Sequence, residues 1–294
     1  MRKKRAALIL VAIAAVVISP IAVYLVHPDI SRLNRERPQK TSFMEYREQQ
    51  WQKRGIHKKI LQEWVPLARI SPYLIKAVII AEDDKFWDHE GFDFEAIQKA
   101  LEKNLKRRKL QAGGSTISQQ LVKNLYLTPS KNPIRKLKEA VLTWRLERNL
   151  SKRRIVEIYL NVAEWGDGIF GVGAAAGHYF GKRPADLSAR EAALLAVVLP
   201  SPLRYRPVGG GSYVEKRAEA IYRIMVRRGI VIPGFEEMMN GAASAGTFQG
   251  GWEEERPPGA GAISPRGEEN KNGGVAGSVT TIPREASPDP GVGR

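Results

Sequence analysis

Between Ile60 and about Gly229 the apolar residues recur at three- and four-residue spacing, and few runs alternate with period two. That pattern predicts a mainly α domain. Helices are expected over Pro72–Asp83, Phe94–Lys106, Thr116–Leu127, Pro133–Asn149, Lys152–Val162, Ala189–Val198 and Tyr213–Arg228. Start signals support several of them. Thr116-Ile-Ser-Gln119 reads as a capping box, with Gln119 reaching back to the cap amide. Ser151 is a good cap for the helix after it, and Pro133 suits a first helical turn.

The flanks follow a different pattern. Ala6 to Val26 is 21 residues without a charge, enough for a helix to span about 30 Å of hydrocarbon. The basic run Arg2–Arg5 precedes it and predicts a cytoplasmic N-terminus. A cleaved signal peptide would have a shorter apolar core and a small-residue cleavage site. Residues 27–59 are polar and read as a juxtamembrane stalk or early helix. From Gly241 to Arg294, 18 of 54 residues are Gly or Pro, too little apolar surface to offset the entropy of ordering. The expected organisation is a basic flank (1–5), a transmembrane anchor (6–26), a juxtamembrane segment (27–59), a helical catalytic domain (60–234) and a Gly/Pro-rich disordered tail (235–294).

Charge narrows the partners. The formal net charge is +16, and residues 235–294 hold 9 acidic and 5 basic side chains, so the remainder carries about +20. Such a surface needs an anionic partner. For a domain outside the membrane that means lipid headgroups or a lipid phosphate, not nucleic acid. The chain has no cysteine, which excludes disulfides, thiolate zinc sites and cysteine nucleophiles.

Three stretches carry candidate chemistry. In AEDDKFWDHEG, Ala81 to Gly91, three carboxylates end an apolar helix. Glu82 lies 7, 4 and 3 residues beyond Ile75, Val78 and Ile79, so it continues their apolar face. Desolvation and the helix C-terminal dipole both raise a carboxylate pKa, as a general base near neutrality requires. The same position suits a structural carboxylate paired with an arginine, and His89 suits packing as well as catalysis. In GGSTISQQLVKN, Gly113 to Asn124, Thr116, Gln120 and Lys123 share one helix face. Free amides at that helix N-terminus suit an anionic ligand, and a well-capped solvated face is the plainer alternative. In IRKLKEA, Ile134 to Ala140, Arg135 and Lys136 could clamp a phosphate while Glu139 holds their geometry or helps hold a metal. An exposed i,i+4 ion pair explains the same residues.

Together these stretches resemble a known family. EDDKFWDHEG resembles the ED-x-x-F-x-x-H-x-G motif of the peptidoglycan glycosyltransferases (glycosyltransferase family 51). GGSTISQQLVKN resembles their G-x-S-T-x-x-Q-Q-x-x-K-N motif, and RKLKEA their R-K-x-x-E. SKRRIVEIYLN (Ser151 to Asn161) and GVGAAAGHYFGK (Gly171 to Lys182) resemble the fourth and fifth. All five stand in the family's order over about 100 residues. No Ser-x-x-Lys or Lys-Thr-Gly pattern is present, so the likeness is to the monofunctional form without a transpeptidase.

The resemblance implies a lysozyme-like helical fold and an enzyme that polymerises lipid II into β-1,4-linked glycan. Inversion at the donor anomeric carbon releases undecaprenyl pyrophosphate. Its partners would be lipid II, the growing lipid-linked glycan, membrane lipids, and other cell-wall synthesis or division proteins. It would sit in the bacterial inner membrane as a single-pass protein with the catalytic domain outside. The match makes Glu82 the base and Glu139 the second catalytic carboxylate. Lys123, Arg135 and Lys136 match pyrophosphate-binding positions. Asp83, Phe86, His89, Gly91, Ser115, Thr116, Gln119, Gln120 and Asn124 would bind substrate and shape the cleft. Glu157, Tyr159 and Asn161 match the fourth motif as scaffold. A divalent cation (Mg2+ or Mn2+) on the pyrophosphate is compatible with this chemistry, though no ligand set is visible. Arg107 to Gly114 is expected to be a mobile basic loop beside the cleft.

Overall fold

A computed structural model of the chain describes residues 27–107, 114–129 and 132–234, with isolated positions before residue 27. The predicted anchor at 6–26, most of the basic loop at 107–114 and the tail at 235–294 fall outside the described residues, apart from a few positions. Among the described residues no helix is long and apolar enough to cross a membrane.

The domain is mainly helical. In chain order the helices are α1 (Ser42–Lys53), α2 (Pro72–Glu82), α3 (Phe94–Arg107), α4 (Ile117–Tyr126), α5 (Pro133–Asn149), α6 (Lys152–Val162), α7 (Val172–Phe180), α8 (Ala189–Val198) and α9 (Gly211–Arg227). The predicted start signals operate. Thr116 and Gln119 close both halves of a capping box, with Gln119 N donating to Thr116 Oγ1 at 3.2 Å and Thr116 N to Gln119 Oε1 at 3.1 Å. Ser151 caps α6 through the Arg154 amide, and Pro133 opens α5 behind an Asn132 cap.

Two helical groups form the core. α8 is buried through Ala189, Ala192, Ala193 and Ala196, and these small side chains let α2 and α9 pack closely on it. α4 is buried through Ile117, Leu121, Val122 and Leu125 and is flanked by α1, α5 and α6. A small sheet of β1 (Leu61–Gln62), β2 (Glu164–Gly166) and β3 (Ile169–Phe170) runs in the order β1-β3-β2. β1 pairs parallel to β3 with Leu61 opposite Ile169, and β2 pairs antiparallel. Such short strands and α7 leave little trace in a periodicity search.

Of the two readings of the segment before residue 60, stalk or early helix, the structure has the helix, and it is docked on the domain. Ile30 and Leu33 join the main core. α1 buries Met44 and Trp51 and packs on α4. Arg47 makes a two-pronged ion pair with the buried Glu164, at 2.9 and 2.7 Å. A few apolar residues, widely spaced in a polar run, suffice to dock α1, and that spacing hid its burial.

Asn161 ties α6 to the segment that leads into α2. Its side chain accepts from Val65 N at 2.7 Å and donates to Val65 O and Glu157 O, both at 2.8 Å. It is fully buried, so its loss strands a buried amide and carbonyl. Asn161→Ala should lower the unfolding free energy by about 2–4 kcal/mol, measured by urea denaturation.

Candidate active site

The polypeptide around residue 83 closes a ring of hydrogen bonds. α2 ends at Glu82, and the next carboxylate, Asp83, turns inward and is 7% exposed. It accepts from the Ile117 amide at the start of α4 (2.9 Å) and from His89 Nε2 (2.9 and 3.1 Å). His89 Nδ1 accepts from Gly91 N, so the ring proton lies on Nε2. Thr116 Oγ1 donates to Gly91 O at 2.7 Å. Gly91 has φ +90°, and a Cβ there would lie 2.9 Å from Thr143 Cγ2, so the loop can lie against α5 only with glycine.

Glu82 stands at the edge of this frame. Its Oε2 accepts from Gln120 Nε2 at 2.7 Å. Its Oε1 is buried with no hydrogen-bond partner. Gln120 is held in turn by Tyr159, whose hydroxyl donates to Gln120 Oε1 at 3.0 Å. Desolvation raises the Glu82 pKa above the ordinary glutamate range, against the Gln120 hydrogen bond and the positive charges of Lys123 and Arg217. Asp83 adds a smaller push in the same direction as burial.

The second carboxylate is set differently. Glu139 is 3% exposed and takes Arg135 Nη1 at 2.9 Å on one oxygen and Lys136 Nζ on the other. Three residues of one helix therefore hold two cations on a buried anion, more than an exposed ion pair. Lys123 connects the two regions. Desolvation lowers its pKa, while the charges of Glu139 and Glu82 both favour its protonated form.

One cavity is lined by Glu82 and a second by its hydrogen-bond partner Gln120. The first, of about 240 Å³, is walled by Glu82, Asp83, Ser115, Thr116, Lys85 and Lys99. The other, of about 320 Å³, is lined by Gln120, Lys123, Asn124, Tyr159, Arg47 and Arg204. Arg135, Lys136 and Glu139 border neither, and reach Glu82 through the field of Lys123. Among the described residues no group of three or more His, Asp or Glu could hold a metal ion.

Residues 48–226 match the family described as Transglycosylase. The chain belongs to the transglycosylase family. It is similar to proteins named biosynthetic peptidoglycan transglycosylase. One, from Nitrosospira multiformis, is 48% identical over 188 residues, 64% of this chain and 82% of that protein. Those of Aromatoleum aromaticum and Dechloromonas aromatica are 55% and 52% identical over 168 residues, 57% of this chain and 73% of each protein. The transglycosylase is thus a glycosyltransferase.

Against this geometry the motif residues differ. Glu82, Ser115, Gln120, Lys123 and Asn124 face cavities, and Asp83 and Thr116 border one while also holding the frame. Phe86, His89, Gly91 and Gln119 border neither cavity. Phe86 is fully buried under Lys152 Nζ, 4.4 Å above its ring, and so is out of a ligand's reach. The N-terminus of α4 is not an open anion site, because Asp83 holds the Ile117 amide and the capping box closes on itself. Pattern reading missed Arg47, Arg204 and Arg217. Arg47 sits on a helix whose burial was hidden, Arg204 on a loop, and Arg217 on α9, about 135 residues beyond the carboxylate whose field it enters.

Asp83→Asn should lower the unfolding free energy by about 1–3 kcal/mol in urea denaturation, because an amide NH2 replaces one acceptor oxygen and the charge is lost, so a donor faces a buried N–H of His89 or Ile117. An Asp83 that acted only on substrate would leave stability unchanged.

Proposed function

We propose that this transglycosylase acts in cell-wall synthesis by polymerising lipid II, with the growing lipid-linked glycan as donor and lipid II as acceptor. The observation that carries this reading is a desolvated carboxylate with one unbonded oxygen, coupled through Lys123 to the Arg135–Lys136–Glu139 cluster. The acceptor 4-hydroxyl gives its proton to Glu82 as its oxygen bonds the donor anomeric carbon. The bond from that carbon to the pyrophosphate oxygen breaks, and the leaving group departs with the electron pair. Attack opposite the leaving group turns an α-linked sugar into a β-1,4 link without a covalent enzyme intermediate.

Lys123, Arg135 and Lys136 neutralise the charge that develops on the pyrophosphate, commonly the largest catalytic contribution. Glu139 keeps Arg135 and Lys136 in one geometry. A lytic hydrolase could also use a glutamate at a helix end. Its leaving group is a sugar hydroxyl that must be protonated, and it has no use for this cationic cluster. The four domain boundaries at residues 5, 26, 59 and 234 and the membrane anchor at 6–26 belong to the same reading, although α1 extends the folded domain below residue 60. On α3, Phe94, Ile97, Leu101 and Leu105 are exposed at helical spacing, and Ala96 and Lys99 of the same helix border the Glu82 cavity. An apolar stripe beside that cavity suits work at a lipid surface.

Purified protein given labelled lipid II should make glycan polymer. Sugar fragments released from finished glycan, with no polymer from lipid II, would sink this reading. Glu82→Gln should lower kcat by about 10²–10⁴-fold. Lys123→Ala should lower kcat/KM by about 10²-fold in the same assay. Because the base must be ionised, activity should fall as pH drops through the raised Glu82 pKa, above the ordinary glutamate range.

A further inference from the structure

We propose that Tyr159 is a positioning residue: by holding the Gln120 amide, its hydroxyl keeps that amide's donor end on Glu82, the base that takes the acceptor's proton. This rests on Glu82 being the base. In the reacting complex the proton leaves the acceptor 4-hydroxyl for the Glu82 carboxylate. The new glycosidic bond forms and the bond to the pyrophosphate breaks in the same displacement.

The argument is one of hydrogen-bond direction. A side-chain amide has a donor end and an acceptor end, and turning it over exchanges them. Turned one way, Gln120 donates to Glu82; turned the other, its oxygen would face a carboxylate oxygen. An ionised carboxylate only accepts, so Glu82 favours the donor end, and Tyr159, which is 1% exposed on α6, holds the amide that way because its hydroxyl proton has the Gln120 oxygen as its partner. Burial and the negative charges of Glu82 and Asp83 push its pKa well above the ordinary tyrosine value, so the hydroxyl keeps its proton. That proton goes to Gln120 Oε1 at 3.0 Å. The amide nitrogen is then directed at Glu82 Oε2, at 2.7 Å. Oε2 is engaged, and Oε1 is buried without a partner, so the Gln120 amide is the one hydrogen bond that the carboxylate receives.

The chain of bonds also sets when Glu82 is ionised. Gln120 donates to the charged form and holds its pKa below the value burial alone would give. The other groups acting on Glu82 are Lys123 on α4, Arg217 on α9 and its neighbour Asp83. None of them is altered when Tyr159 loses its hydroxyl.

Without the Tyr159 hydroxyl, in Tyr159→Phe, the Gln120 amide can turn over once Glu82 is protonated. Its oxygen then accepts from protonated Glu82 and favours the inactive form. In lipid II polymerisation by the full chain, the acidic limb of the pH–rate profile should move to higher pH. Turnover at neutral pH should fall about tenfold while KM stays within about twofold. The midpoint of that limb does not depend on how much of the protein is folded, so lost material cannot imitate the shift. Gln120→Met, with Tyr159 intact, should move the limb in the same direction. A Tyr159→Phe limb that coincides with that of the unaltered enzyme overturns the proposal and leaves Glu82 as base. Should Tyr159→Phe not fold, an unshifted limb in Gln120→Met overturns it instead. Full activity in Glu82→Gln would reject the base itself.

Discussion

The buried carboxylate of Asp83 is the constraint around which the active site is assembled. It sits at the junction of α2 and α4 and satisfies the Ile117 amide that α4 cannot bond internally. It also orients His89, which holds the Gly91 amide, and Gly91 lies against α5 where no side chain fits. Three helices are thereby held to one loop. A charged oxygen buried here is stable only because each of its partners is in place. The acidic cluster at the end of α2 therefore has one member for structure, one for chemistry, and Asp84 at the surface with Arg228.

Glu82 and Glu139 illustrate how environment divides two carboxylates. Glu139 is buried but fully paired, with a cation on each oxygen. Glu82 has one amide donor and one empty oxygen. Burial, offset only in part by Gln120, Lys123 and Arg217, raises the pKa of Glu82, and two such different environments suit a pair with different roles in one reaction. Lys123 feels both charges and is itself desolvated, so its ammonium is held by the field of the two carboxylates. The surrounding cations, Arg47, Arg204 and Arg217, come from three further parts of the chain.

Much of this was legible from residue pattern. The bounds of α5, α6 and α8 agree with those read from apolar spacing and caps, and α2 and α4 agree to within a residue at each end. Long amphipathic segments with an Asn, Ser or Thr cap announce themselves, because burial and capping act within a few residues of one another. α1 and α7 did not. α1 is mostly polar and docks through a few side chains, and α7 is rich in Gly and Ala and lacks a polar face. In the motif residues, spacing carried identity but not division of labour. Nothing in Thr116 or Gln119 says that their polar atoms are spent on each other.

By itself the sequence determined a mainly helical domain, its capped helices, its strongly basic charge and the family to which its five motifs belong. These depend on interactions between residues near in the chain or on composition. The tertiary structure alone decided which side chains are spent on the frame and which face a cavity. It decided that Glu82 keeps one oxygen unbonded, that Tyr159 aims Gln120, and that α1 walls the site through Arg47. Each of these depends on a hydrogen bond, an ion pair or a buried surface between residues about 40 to 120 positions apart, and a pattern read over a dozen residues cannot contain them.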